Sequence, residues 1–262
     1  MPELTIMEIQ VFLLAFIRIT IFLHFMPLFD QSFIPVQVRA GLAFFLVVIL
    51  FNSIYTVADL PLVSSLWEFA GIVIREMILG MLVGYLFRSL FAAVSFAGRV
   101  VDMQLGFAML QIPDPILEGE QTSATGMLQL LVFALVFLIS QGHYYLFLAI
   151  EHSFHIIPPG EIVMAGDTLF QIALFTIVAL TEMALRLALP LMAILMITSM
   201  TLGVVAKTMP QMNVFFVGMP LKILIGFSVL VVLLPILTQI FQQLYMQLYR
   251  DIWGLLNQLG GR

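Results

Sequence analysis

The chain has no cysteine in 262 residues, which excludes both a disulfide framework and thiol catalysis. Charge is almost as scarce. Asp, Glu, Lys and Arg make up 10% of the residues, against roughly a quarter in an ordinary soluble domain. A net charge of −5 provides no basic surface for nucleic acid. The first ten residues carry Glu3 and Glu8 and no Lys or Arg, unlike the cationic start of a signal peptide. Insertion is therefore expected to rely on internal segments. Gly-x-Ser-x-Gly and the phosphate-binding loop are both missing, so nothing points to an enzyme or a nucleotide. There is no internal repeat, no low-complexity tail and no long polar linker. One domain over residues 1–262 is expected, with halves 1–150 and 168–262 meeting around residues 150–168.

What the chain does have is apolar surface. Hydrophobic residues reach 62% and the mean hydropathy is +1.14. Ten basic and fifteen acidic side chains cannot supply a polar skin for a globule of this size. Lipid or partner protein must cover the outside. A closed barrel would need short alternating segments, whereas the apolar runs here are long. The expected fold is all-α: a polytopic membrane protein of kinked helical hairpins.

A spanning helix needs about 20 apolar residues. Candidate spans are residues 9–29, 36–55, 67–87 and 127–150. Two longer stretches follow, 169–206 and 214–249, with Pro190 and Pro235 near their middles. Proline removes a helical hydrogen bond, so each stretch is either one long bent helix or a tight hairpin. Arg39, Arg88, Arg99 and Lys207 fall on one side if each stretch crosses once, and that side should be cytoplasmic.

Residues 88–126 do not fit a plain bundle. Arg88, Ala92, Ser95, Arg99 and Asp102 share one face of a helix that continues past the third span. Arg99 and Asp102 are spaced to pair at i,i+3. Gly106, Phe107, Ala108, Met109, Leu110, Gln111, Ile112, Pro113, Asp114 and Pro115 follow. The two prolines exclude helix, and lipid does not tolerate free backbone groups. This apolar loop is either packed within protein or a movable plug lining a conduit. A second irregular segment holds Pro210, Gln211, Asn213, Phe215, Gly218, Pro220 and Lys222. It reads either as a turn between helices or as a re-entrant turn at a cytoplasmic pore mouth.

Arg18, Arg75, Glu76, Glu182 and Arg186 lie inside apolar runs and need partners. Glu182 and Arg186 are four apart and can neutralise one another. These charges read either as a proton or ion relay or as structural ion pairs between subunits, and their scatter along no single path favours the ion pairs. Gly80 and Gly84 permit close helix approach. His143, His152 and His155 with Glu151 do not make the metalloprotease order, and they read as interfacial histidines. No metal or cofactor is implied. Met192, Met196 and Met200 form a stripe that suits either core filling or an adaptable seal.

Several ordered motifs together resemble the FliR family, the flagellar member of the type III secretion export gate, whose injectisome relative is SctT. They are Arg18, Pro27, Pro35 and Arg39; residues 91–93 with Gly98; Met103 to Ala108 with Asp114-Pro115; Gly142-His143 and residues 153–158; Arg186 to Pro190; and Pro210 to Phe215 with Gly218, Pro220, Leu221 and Lys222. The likeness covers essentially the whole chain. It implies a non-enzymatic gate subunit in the bacterial inner membrane, at the flagellar basal body. The implied partners are FliP, FliQ and FlhB, with unfolded flagellar proteins as cargo. In that family the loop matching residues 106–115 lies in the channel as a plug. An injectisome paralogue and a small-molecule transporter are the alternatives, the latter requiring an inverted repeat.

Overall fold

A computed structural model describes residues 2–26, 34–58, 65–107, 123–161, 166–209, 211 and 213–260, with side chains omitted for 2–5, 166–173, 214 and 215. Among the described residues the structure consists of helices and their connections. In chain order these are α1 (Pro2–Phe25), α2 (Val36–Val57), α3 (Leu66–Leu105), α4 (Ala124–Ile139), α5 (Gly142–Ile156), α6 (Gly166–Thr208) and α7 (Val214–Leu259). Five of them are long and apolar enough to cross a bilayer: α1, α2, α3, α6 and α7.

The first three expected spans are present, and α3 runs on to Leu105 as one 40-residue helix. The fourth is not one helix. It breaks between α4 and α5, where Gln141 adopts φ 57, a left-handed conformation that ends a helical run. Ser140 and Gln141 interrupt an otherwise apolar segment there. The two long stretches are single helices of 43 and 46 residues. Pro190 lies inside α6, and Pro220 and Pro235 lie inside α7. The second irregular segment is therefore shorter than expected, because Phe215, Gly218, Pro220 and Lys222 already belong to α7. Hydroxyls that would be costly in an apolar helix are satisfied by its own carbonyls: Thr198 donates to Ile194 at 2.9 Å and Ser199 to Leu195 at 2.8 Å.

The chain forms two compact units. The first comprises Met1–Leu90, Gln141–Ile177 and Tyr245–Arg262. In it α3 lies tight against α1, because a Cβ on Gly80 would collide with the Arg18 carbonyl and one on Gly84 would lie 2.8 Å from the Phe22 oxygen. Phe22 and Phe87 meet edge to face at 6.2 Å. The end of α7 packs on α5 through edge-to-face contacts of Tyr249 with Tyr145 and of Trp253 with His152.

The second unit comprises Phe91–Ser140 and Val178–Leu244. Phe133 is its aromatic centre, 4.9 Å from Phe91 and 5.1 Å from Phe241. Leu187, Leu191 and Leu195 form a buried stripe on α6, at the four-residue spacing of one helix face.

Candidate functional site

The first unit holds a buried ion pair. Arg18 and Glu76 sit on α1 and α3 at 1% and 0% exposure, with Nε donating to Glu76 Oε2 at 2.5 Å. Arg18 Nη1 donates to the carbonyls of Ser153 at 2.9 Å and Ile157 at 3.0 Å. The other Glu76 oxygen accepts from the Gly160 amide at 2.9 Å. The guanidinium also lies over the Phe154 ring, 4.2 Å from its centroid. Charges in an apolar interior persist only when paired and hydrogen-bonded, and here one pair ties α1, α3 and the end of α5 together. The pairing lies within the chain, whereas the sequence reading placed it between subunits. The signal in the sequence was an opposite charge in each of two apolar spans, the first and the third, each needing a partner.

The second unit holds the stems of the apolar loop. Helix α3 ends at Leu105, and Gly106 takes φ 87, which glycine adopts at little cost. The described chain stops at Phe107 and resumes at Ser123. Ala108, Met109, Leu110, Gln111, Ile112, Pro113, Asp114 and Pro115 lie outside the described residues, as does Pro210. The two stems are clasped. Asp102, on the last turn of α3, accepts from the Ser123 hydroxyl at 2.7 Å and the Thr125 hydroxyl at 2.6 Å, and from the Thr125 amide at 3.2 Å. Thr125 Oγ1 also lies 2.7 Å from the Gly98 carbonyl. Ser123 caps α4 by accepting from the Gly126 amide at 2.8 Å. Gly98 and Gly126 bring the two backbones together so closely that a Cβ on Gly98 would overlap Gly126.

Asp102 thus spends its acceptors across the helices, on α4 and the residue before it. It does not make the expected i,i+3 pair, and Arg99 is exposed with its guanidinium 5.9 Å from the Phe96 ring. Glu182 and Arg186 are bonded at 2.5 Å on an exposed face of α6.

Beside the clasp is a cavity of about 410 Å³. It is lined by Met103, Gln104 and Gly106 from the stem, by Gly203 and Ala206 of α6, and by Gly218, Met219 and Lys222 of α7. The root of the apolar loop and part of the second irregular segment therefore meet here, although the sequence treated them separately. Gln211 and Asn213 are exposed in the connection before α7.

Long apolar helices, a charged pair buried between them and an all-helical architecture define a polytopic helical membrane protein. Residues 9–248 match the profile of the bacterial export proteins, family 1. The flagellar biosynthetic protein FliR of Bacillus subtilis is 35% identical over 225 residues, covering 84% of this chain and 85% of its own. FliR of Escherichia coli is 26% identical, covering 84% and 82%. SpaR of Shigella flexneri, a surface presentation of antigens protein, is 26% identical, covering 85% and 86%. The chain belongs to the bacterial export proteins, family 1, the family that includes FliR. It is an export-apparatus component and not an enzyme.

Proposed function

We propose that the chain is a subunit of the flagellar type III protein export gate in the bacterial inner membrane, at the base of the flagellum. It assembles with FliP and FliQ into a sealed channel for unfolded flagellar proteins, and FlhB associates with that gate. Residues 106–115 act as the plug of the resting channel. The segment around Pro210–Lys222 lies at the cytoplasmic mouth.

The observation that carries this reading is the clasp. The two stems that flank an apolar, proline-containing segment are pinned by Asp102, Ser123, Thr125 and the Gly98–Gly126 contact. A seal that must open and re-form needs fixed ends and a variable middle, and the stems supply the fixed ends. The flagellar assignment is supported by the 35% identity to FliR of Bacillus subtilis over 225 residues.

The test is a pull-down of the tagged chain from native membranes in mild detergent. FliP and FliQ are expected to co-purify. Recovery of a folded, monodisperse chain without either would overturn the proposal.

A further inference from the structure

Among the described residues, Lys222 is the only charged side chain lining the cavity at the end of α3. The whole cavity lies within the second unit. The described carboxylates of that unit are Asp102 and Glu182. Asp102 is taken by Ser123 and Thr125, and Glu182 by Arg186. Lys222 therefore has no anionic partner among the described residues, although it is half-buried. A cation on an apolar wall is penalised until an anion meets it.

The rest of the wall is chiefly hydrocarbon. Met103, Leu105, Leu202 and Met219 line it, and methionine adapts its shape to what it touches. The Ser199 hydroxyl adds no free donor, because it is spent on the Leu195 carbonyl at 2.8 Å. Gly203 lines the cavity and is exposed, and a Cβ added there would meet nothing within 4 Å. The cavity is therefore reached over α6. Its volume of about 410 Å³ lies at the small end of the range for ligand pockets.

This combination selects a ligand by chemistry. Apolar walls ask for an alkyl chain, and the small volume suits one chain and not the two of a phospholipid. Lysine presents a point charge and not the planar fork of arginine, so a single carboxylate satisfies it. We infer that the cavity binds one free fatty acid, with its carboxylate on the Lys222 ammonium and its chain along Met103, Leu105, Leu202 and Met219. The bound chain also touches Gly106, the residue at which the backbone turns out of α3 with φ 87.

The experiment uses native membranes that contain the full-length chain. Decanoate carrying a photoactivatable diazirine is the probe, and decanol carrying the same group is the neutral control. After irradiation, mass spectrometry maps the labelled peptides. Decanoate adducts are expected on residues 103–106, 199–206 and 218–222, with decanol giving about tenfold fewer there. K222Q is expected to reduce decanoate to the decanol level, and K222R to keep it. G203W fills the space from a carbon that meets no neighbour, and is expected to abolish the adducts at an unchanged membrane level of the protein. Equal labelling by decanoate and decanol in wild type overturns the inference, and that comparison decides alone if the variants fail to reach the membrane. An absence of adducts from these segments overturns it too, because protein then fills the cavity. So does loss of the adducts on adding phosphatidylglycerol when unlabelled decanoate does not displace them, because the site then takes a phospholipid.

Discussion

At the residue scale the Arg18–Glu76 pair carries the sharpest expectation. Both side chains are essentially without solvent exposure, and each has hydrogen bonds beyond the pair. Removing one partner strands the other in an apolar interior, which costs about 3–5 kcal/mol. E76A is therefore expected to lower the membrane level of the protein and its thermal midpoint in detergent. The double change R18M/E76L is expected to recover much of that loss, because an apolar replacement of a buried pair is often neutral. If E76A alone leaves both readings unchanged, the pair does not hold the first unit together. The sequence made both charges visible as groups that needed partners, but 58 positions separate them and no local rule joins them. Arg99 and Asp102 show the converse. Their spacing permitted a contact worth a few tenths of a kcal/mol, and Asp102 instead takes three hydrogen bonds that only the folded chain brings within reach.

At the scale of elements, close approach of α3 and α4 is what positions the loop stems. G98A places a methyl group onto the Gly126 backbone. Backbone cannot move aside as a flexible side chain does, so the helices must separate, at a cost of about 1–3 kcal/mol or more. G71A is the control on the same helix: nothing lies within 4 Å of the added carbon, and alanine favours helix over glycine by about 1 kcal/mol. Thermal unfolding in detergent should fall for G98A and hold or rise for G71A, and equal shifts would show that the contact is dispensable. D102L tests the clasp itself. It leaves the Thr125 amide and the Ser123 hydroxyl without their acceptor, at about 1–3 kcal/mol for each buried group, while the Thr125 hydroxyl keeps the Gly98 carbonyl. Cleavage at Glu118 or Glu120 by a glutamyl-specific protease should then accelerate in the assembled protein, and an unchanged rate would remove the clasp's role. The length of α3 was legible because its apolar and polar faces keep helical period through Leu105. The break between α4 and α5 was not, because a single left-handed residue, Gln141, ends the helix inside a run that stays apolar on both sides. Pro190 and Pro235 allowed either a bend or a hairpin, since the sequence shows the lost hydrogen bond but not the packing that lets the helix continue.

For the whole molecule the deciding quantity is length. Helices α3, α6 and α7 have 40, 43 and 46 residues, or about 60–70 Å each if straight. A hydrocarbon core of about 30 Å takes up about 39 Å of such a helix even at a 40° tilt. Part of each helix must leave the acyl layer, and yet large apolar side chains remain exposed along them, among them Met103, Ile197, Val204 and Phe216. Composition alone required that something cover the outside; helix length makes partner protein, and not lipid alone, the cover for these portions. The same reasoning bears on the proposed plug. If partner helices surround the stems at Phe107 and Ser123, the apolar loop between them faces an enclosed path and excludes water by dewetting. Replacing Phe107, Met109 and Leu110 together by serine puts three hydroxyls in place of that apolar lining and should let ions through. Proton or sodium leak into cells expressing the complete assembly is expected to rise above wild type, with FliP and FliQ still co-purifying. Normal co-purification with an unchanged leak would mean that the seal lies elsewhere, while lost co-purification would return the loop to a packing role. The clasp separates the two further: D102L, which loosens the stems without changing the lining, is expected to raise the leak less than the triple serine variant if the loop residues themselves form the barrier.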